Sequence, residues 1–195
     1  MSSVALHDWK SFRSRGLDNL MSVHSTVTGG RQGRQWATEQ LNHAVILRLA
    51  SEFQGFSRDL HAEAVTFILD VGVTAGPAIA QILRANLEFG RKLDQGNANG
   101  GNLGSDFFRI GLPIVQEVKR VSTANKVRLE GLERLNAARN AIAHNNPTQL
   151  AEVASVQPLT MRSAKSWRGN LNGLADAMDR CVGSYLRDLT GQQPW

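Results

Sequence analysis

A long amphipathic repeat in the first half of the chain is the feature that most constrains its fold. Between residues 41 and 67, large apolar residues recur every three or four positions, and charged residues fill the gaps. The apolar members of this row are Leu41, Val45, Leu49, Phe53, Phe56, Leu60, Ala64 and Phe67. This spacing puts them on one face of a helix of about seven turns, which other helices must cover.

Most of the remaining chain shows the same helical spacing, and no segment alternates apolar and polar residues as a strand does. The predicted helices cover residues 5–23, 41–67, 78–93, 124–144 and 162–189. Ser105 is a candidate N-cap of a further helix, and Asn146 followed by Pro147 predicts another helix start. We therefore predict an all-α fold, an up-and-down bundle of four core helices with additional short helices.

Length and composition favour a single domain over residues 1–195. The chain has 195 residues, of which 42% are hydrophobic, and this suits one compact core. Residues 95–104 read QGNANGGNLG, a polar segment without apolar periodicity. We predict that this segment is a flexible loop inside the domain, because neither flanking half carries a self-sufficient apolar pattern.

The charge balance points toward an anionic partner. The net charge is +5, and 17 of the 22 basic residues are arginine, whose guanidinium group matches phosphate oxygens. Cys181 is the single cysteine, which excludes a disulfide framework and favours a reducing compartment. The N-terminal residues lack the pattern of a signal peptide, and no apolar run is long enough to span a membrane. We expect a cytoplasmic protein that is not embedded in a membrane.

Common enzyme motifs are absent from the sequence. There is no phosphate-binding Gly-rich loop, no nucleophile elbow and no His-Glu-x-x-His or Glu-x-x-His pair. We therefore predict no metal site and no cofactor. Four of the five histidines, His7, His24, His43 and His61, are predicted to lie on polar helix faces without a chemical role.

The segment 134–145 carries the candidate site. At 100° per residue, Arg139 falls in the middle of an apolar arc that includes Leu132 and Leu135. A guanidinium group in such a position is costly to bury unless it meets a partner or an anion. Asn140 and His144 lie beside the arc, four residues apart, so that their side chains can form a hydrogen bond. Arg139 and His144 together suggest a phosphate site.

The string Arg139-Asn140-x-x-x-His144 resembles the Arg-x4–6-His motif of the HEPN superfamily, including the polar residue after the arginine. Residues 49–60 are similar to the early long helix of the RiboL-PSP-type subgroup, although Gln54 stands where an acid is expected and Glu52 precedes it by two residues. The resemblance implies an all-α bundle that commonly dimerises. It also implies metal-independent endoribonuclease activity, such as that of toxin–antitoxin, antiviral and RNA-processing proteins.

The resemblance implies roles for individual residues. His144 would be the general base or acid, Arg139 would hold the scissile phosphate, and Asn140 would orient His144 or contact phosphate. Asn136 and Asn145 are candidate substrate-binding residues. The products would carry 2′,3′-cyclic phosphate and 5′-hydroxyl ends. The expected partners are RNA, a second copy of the chain with the motif at the interface, and an antitoxin or another regulatory protein.

Other interpretations stay open at this point. Arg139 is a structural interface or core residue if a carboxylate such as Glu133 or Glu52 pairs with it. His144 is a structural residue if it only stabilises the end of its helix. The chain would then be a non-catalytic HEPN-like dimerisation module that binds RNA, a nucleotide or a partner protein. A bundle that serves only for oligomerisation or DNA binding is a third possibility.

Overall fold

The structure, a computed structural model, describes residues 1–29, 36–72 and 76–195, and over these ranges it contains helices and no strands. The helices are α1 (Val4–Asp8), a π-helical turn (Trp9–Arg13), α2 (Ser14–Thr28), α3 (Trp36–Gly72), α4 (Pro77–Glu88), α5 (Lys92–Gln95), α6 (Gly100–Phe108), α7 (Ile114–Val121), α8 (Thr123–Ala143), α9 (Pro147–Val156) and α10 (Met161–Thr190). The predicted all-α fold is confirmed. None of the described helices is both long and apolar enough to cross a membrane.

The core forms where α3, α8 and α10 pack against one another. The apolar row predicted for the long helix lies on α3, and its six central members, Val45 to Ala64, are fully buried. The π-helical turn adds Trp9, whose ring meets Phe53 edge to face at 5.6 Å. The Trp9 indole donates a hydrogen bond of 3.0 Å to Asn172 of α10, so this side chain joins the N-terminal helices to the bundle.

An ion-pair network fastens the N-terminal helices to α3. Arg13 donates to Glu52 and to Asp59, each at 2.6 Å, and Arg48 binds the other oxygen of Glu52 at 2.5 Å. Glu52 is only 5% exposed. The guanidinium group of Arg13 lies directly over Gly55, where a β-carbon would stand 2.5 Å from Nη1. Gly55 is therefore required for this close approach, and Glu52 serves the packing of Arg13.

The predicted loop at 95–104 is wrong from Gly100 onward, because α6 begins there. Asn99 caps α6 by accepting a hydrogen bond of 2.8 Å from the backbone of Asn102, while Ser105 lies inside the helix. The backbone N–H of Gly100 donates to Glu133 of α8 at 2.7 Å. These contacts stabilise a helical start that the glycines by themselves disfavour.

We expect different effects from two glycine substitutions in helices. Gly169→Ala on α10 meets no atom within 4 Å, so it should raise the free energy of unfolding by about 0.5–1 kcal/mol through helix propensity. Gly55→Ala offers the same gain in helix propensity but forces the guanidinium group of Arg13 to shift, so it should raise the free energy of unfolding less than Gly169→Ala does. Urea unfolding of both variants measures the difference. Equal stability of the two variants would contradict the tight packing of Arg13.

Candidate active site

Arg139 occupies the position on α8 where the buried stripe reaches the end of the bundle. Leu132 and Leu135, seven and four residues earlier on the same face, are fully buried, whereas Arg139 itself is half-buried. The prediction that Arg139 lies on the apolar arc is confirmed. Its position lets the aliphatic stem pack on apolar neighbours while the guanidinium group reaches the surface.

Arg139 has no ion-pair partner among the described residues, and its Nη1 donates to Asn140 Oδ1 at 3.2 Å. The two carboxylates considered as structural partners are engaged elsewhere. Glu133 accepts the backbone N–H of Gly100, and Glu52 binds Arg13 and Arg48. The positive charge of Arg139 is therefore not neutralised by either of these carboxylates.

A polar stripe beside Arg139 holds the segment that precedes α6. Asn136 is buried and donates to the carbonyl of Ala98 at 3.0 Å. One turn later, Asn140 Oδ1 accepts a hydrogen bond of 2.7 Å from Asn97 Nδ2. Glu133 begins this stripe, and the exposed residue His144 continues it by one more turn. The stripe thus forms one wall of the site together with residues 97–100.

His144 caps α8, and its position is set by the chain reversal that follows. The N–H of Asn145 donates to the carbonyl of Ile142 at 3.1 Å, and that of Asn146 donates to the carbonyl of Ala141 at 3.3 Å. This pair of bonds is the Schellman arrangement, which requires a left-handed residue after the cap. Asn145 fills that position with φ of 46°, and Asn146 then caps α9 as predicted.

The structure brings only some of the predicted site residues into contact. Arg139 and Asn140 are bonded, but in the described chain the side chain of Asn140 bonds to Arg139 and Asn97 and not to His144. Asn136 is buried beneath Ala98, while Asn145 is exposed at the end of the helix. Sequence reasoning missed Asn97. The sequence only weakly indicates that Asn97 belongs to the site, because this residue stands among several asparagines in a segment that resembles a loop.

Polar groups support this wall from the side of α3. Gln54, which replaces the expected acid, donates to the carbonyl of Leu93 at 2.7 Å and so fixes α5. Asp106 of α6 is buried and accepts the backbone N–H groups of Lys92 and Leu93 at 2.9 and 2.8 Å. These bonds join α5 and α6 to α3, which places Asn97 and Ala98 against α8.

The prediction that His61 lies on a polar face is wrong, because its side chain is fully buried. Its Nε2 lies 2.9 Å from the carbonyl oxygen of Asp106, which can only accept, so Nε2 carries the hydrogen. Nδ1 faces Arg91 at 3.5 Å, and the ring packs edge to face on Phe107. Burial first, and then the charge of Arg91, lower the pKa of His61 from 6.5 to about 4.

Comparison of the chain with protein-family models, with curated proteins and with solved structures finds no match. The resemblance to the HEPN superfamily therefore stays a prediction. Among the described residues, no group of three or more His, Cys, Asp or Glu side chains is arranged to hold a metal ion. What the site presents is a guanidinium group, an imidazole and amide groups, a set that can bind a phosphate and transfer protons.

We expect acid to destabilise the fold through His61. Because its pKa is lower in the folded state, the unfolded chain binds the extra proton between pH 6.5 and pH 4, and stability falls as the pH falls through this window. The loss from this group amounts to about 3 kcal/mol, at about 1.4 kcal/mol for each unit of pKa. Unfolding titrations at pH 7 and pH 4 measure it.

His61→Gln is the control, since it keeps a donor for the carbonyl of Asp106 but does not titrate. Its stability should fall with pH by about 3 kcal/mol less than that of the wild type. Parallel pH profiles of the two proteins would show that His61 is not the group responsible.

Proposed function

We propose that this chain is a metal-independent endoribonuclease whose site consists of Arg139, Asn140 and His144. The observation that carries the proposal is the state of Arg139, a half-buried guanidinium group that the described residues leave without a carboxylate partner. Keeping such a charge near an apolar surface is costly, and a phosphate group would compensate it. His144 is exposed on the same end of α8 and is therefore accessible to a substrate.

The proposed reaction uses the nucleophile that RNA itself supplies. The 2′-oxygen attacks the adjacent phosphorus, its proton passes to a general base, and the bond to the 5′-oxygen breaks as that oxygen receives a proton. The products are a 2′,3′-cyclic phosphate and a 5′-hydroxyl end. His144 is suited to one proton transfer, because an imidazole ring can both accept and donate a proton. Arg139 stabilises the negative charge that grows on the phosphate oxygens.

Asn140 acts as a positioning residue in this proposal. Its side-chain oxygen accepts hydrogen bonds from Arg139 and from Asn97, which restrains the guanidinium group against the wall of residues 97–100. A preorganised donor loses less freedom when it binds the transition state. Asn136 contributes through the same wall, because its amide holds Ala98 in place.

We also infer that the active form is a homodimer in which two copies of the motif share one cleft. One histidine per chain serves one of the two proton transfers, and a two-fold axis beside α8 supplies the second. A cytoplasmic location suits a chain with one cysteine and an RNA substrate. The role in the cell is that of a toxin or a defence effector, for which an antitoxin or another regulatory protein would be the natural partner.

The proposed activity predicts RNA cleavage that persists in EDTA. We expect Arg139→Ala and His144→Ala each to lower the rate at least about 100-fold, since a general acid or base contributes about 10²–10⁴-fold. Gel analysis of total RNA together with chemical identification of the ends measures this. The matched controls are Arg180→Ala and His7→Ala, two exposed residues outside the site. Cleavage that survives in both site variants would refute the proposal.

A shared cleft predicts complementation between the two inactive variants. When Arg139→Ala and His144→Ala chains are co-expressed with different tags, the mixed dimer keeps one arginine and one histidine in the same cleft. We expect it to be at least about tenfold more active than the pure His144→Ala dimer, since it regains one general acid or base. Sedimentation identifies the dimer. A mixed dimer no more active than the pure His144→Ala dimer would contradict the shared cleft.

One observation favours a second candidate, a non-catalytic HEPN-like module that binds RNA, a nucleotide or a partner protein. Asn140, the polar residue of the motif, already accepts two hydrogen bonds inside the chain, and Asn136 and Glu133 are also used to hold residues 98–100. The motif would then serve folding and association. This candidate predicts that His144→Ala weakens RNA binding or the dimer while the wild type never cleaves RNA.

A further inference from the structure

The side-chain amides of Asn97 and Asn140 are held in one fixed orientation at the candidate site. Arginine can only donate hydrogen bonds, so the atom of Asn140 that lies 3.2 Å from Arg139 Nη1 is its oxygen, Oδ1. The same oxygen lies 2.7 Å from the amide of Asn97, and the Asn97 atom that meets it is the nitrogen, Nδ2, because an oxygen there would offer no hydrogen. The guanidinium group of Arg139 therefore determines which way both amides point.

This orientation leaves an acceptor and a donor available for a ligand. Oδ1 of Asn97 accepts no hydrogen bond within the described chain, and it is not one of the buried polar atoms that lack a partner, so solvent reaches it. Asn140 is exposed, and its Nδ2 likewise makes no hydrogen bond within the described chain. The site thus presents donors from Arg139 and Asn140 and, beside them, an acceptor from Asn97.

The acceptor lies at the end of the wall that is nearest to the proposed chemistry. Residues 97–100 run along α8 in the opposite direction to the helix. Their last residue bonds to Glu133, whereas Asn97 bonds to Asn140, two turns further along α8. His144 follows Asn140 by one more turn. Asn97 is therefore the residue of this segment whose contact lies closest along α8 to His144.

We propose that Asn97 is a specificity-determining residue, whose Oδ1 accepts a hydrogen bond from the amino group of a nucleobase next to the bound phosphate. A phosphate oxygen cannot bind this atom, since both are acceptors. In the proposed reaction, on which this inference rests, the 2′-hydroxyl directs its proton to the general base. The donors that remain on the nucleotide are the N–H groups of its base, and adenine, cytosine and guanine carry an amino group that uracil lacks.

The test compares adenosine 3′-monophosphate with purine riboside 3′-monophosphate, which has the same shape and lacks the amino group. Neither probe contains a phosphodiester bond, so binding is measured independently of ribonuclease activity. Titration of ¹⁵N-labelled protein, followed through its side-chain amide signals, gives both dissociation constants. We expect the wild type to bind the adenosine probe about fivefold more tightly, the ratio that one net hydrogen bond supplies, because the other probe leaves Oδ1 of Asn97 without a donor.

Two variants of Asn97 separate the loss of the acceptor from a change in the wall. Asn97→Leu removes the acceptor with little change in volume and should bring the ratio of the two dissociation constants to about one. Asn97→Asp keeps an oxygen acceptor and should keep the preference, while its negative charge beside the phosphate weakens the binding of both probes. The matched control is Asn86→Leu, an exposed asparagine on α4 outside the site, which should leave both affinities unchanged.

The possible results distinguish this inference from the proposed function. Equal binding of the two probes to the wild type would overturn the role of Asn97, and so would a preference that persists in Asn97→Leu or disappears in Asn97→Asp. If binding of both probes is still lost in Arg139→Ala, the phosphate site remains supported in those cases. If neither probe binds to the wild type, the role of Asn97 and the proposed phosphate site are refuted together.

Discussion

Helix α8 packs into the core with one face and binds residues 97–100 with another, and the architecture of the candidate site depends on both contacts. Its apolar stripe packs into the core against α3 and α10. Its polar stripe, from Glu133 through Asn140, binds the backbone and side chains of residues 97–100. Because the two stripes lie side by side, Arg139 at the end of the first stripe is adjacent to Asn140 on the second. The grouping of these residues is thus a consequence of packing the helix.

The buried polar groups that support residues 97–100 from the side of α5 and α6 have hydrogen-bond partners. Asp106 binds two backbone N–H groups of α5, and His61 bonds to the carbonyl of the same residue. Arg91, which faces His61, is itself paired with Asp94 at 3.1 Å. Groups held in this way cost free energy when they are displaced, so the wall keeps its shape. Such a support suits the proposed site, in which donor groups would hold a phosphate at fixed distances.

Two other features show that the bundle is packed unevenly. The indole Nε1 of Trp167 is buried without a hydrogen-bond partner among the described residues, and α9 buries none of its own side chains. The close approach of Arg13 to Gly55 shows the opposite extreme, since a β-carbon there would force the guanidinium group to shift. The chain therefore combines a densely packed centre around α3 with a looser end beyond α8. Binding sites commonly use such looser ends.

The helices and the position of Arg139 could be predicted from sequence because both follow from local periodicity. A repeat of three or four residues determines which side chains share a helix face, and α3, α8 and α10 follow that repeat closely. Asn146 and Pro147 likewise begin a helix for local reasons of capping and backbone geometry. These features need no information about distant parts of the chain.

Only the tertiary structure decided what the polar residues contact. Gly100 starts a helix since Glu133, 33 residues away, accepts its N–H, and His61 is buried since α5 and α6 cover it. Asn97 meets Asn140 across 43 residues of sequence. Such contacts depend on how whole helices pack, and a polar side chain offers the same hydrogen bonds to many partners. The sequence by itself therefore determined the helices and the position of Arg139 on the apolar face of its helix. The packing of the helices decided which groups surround Arg139.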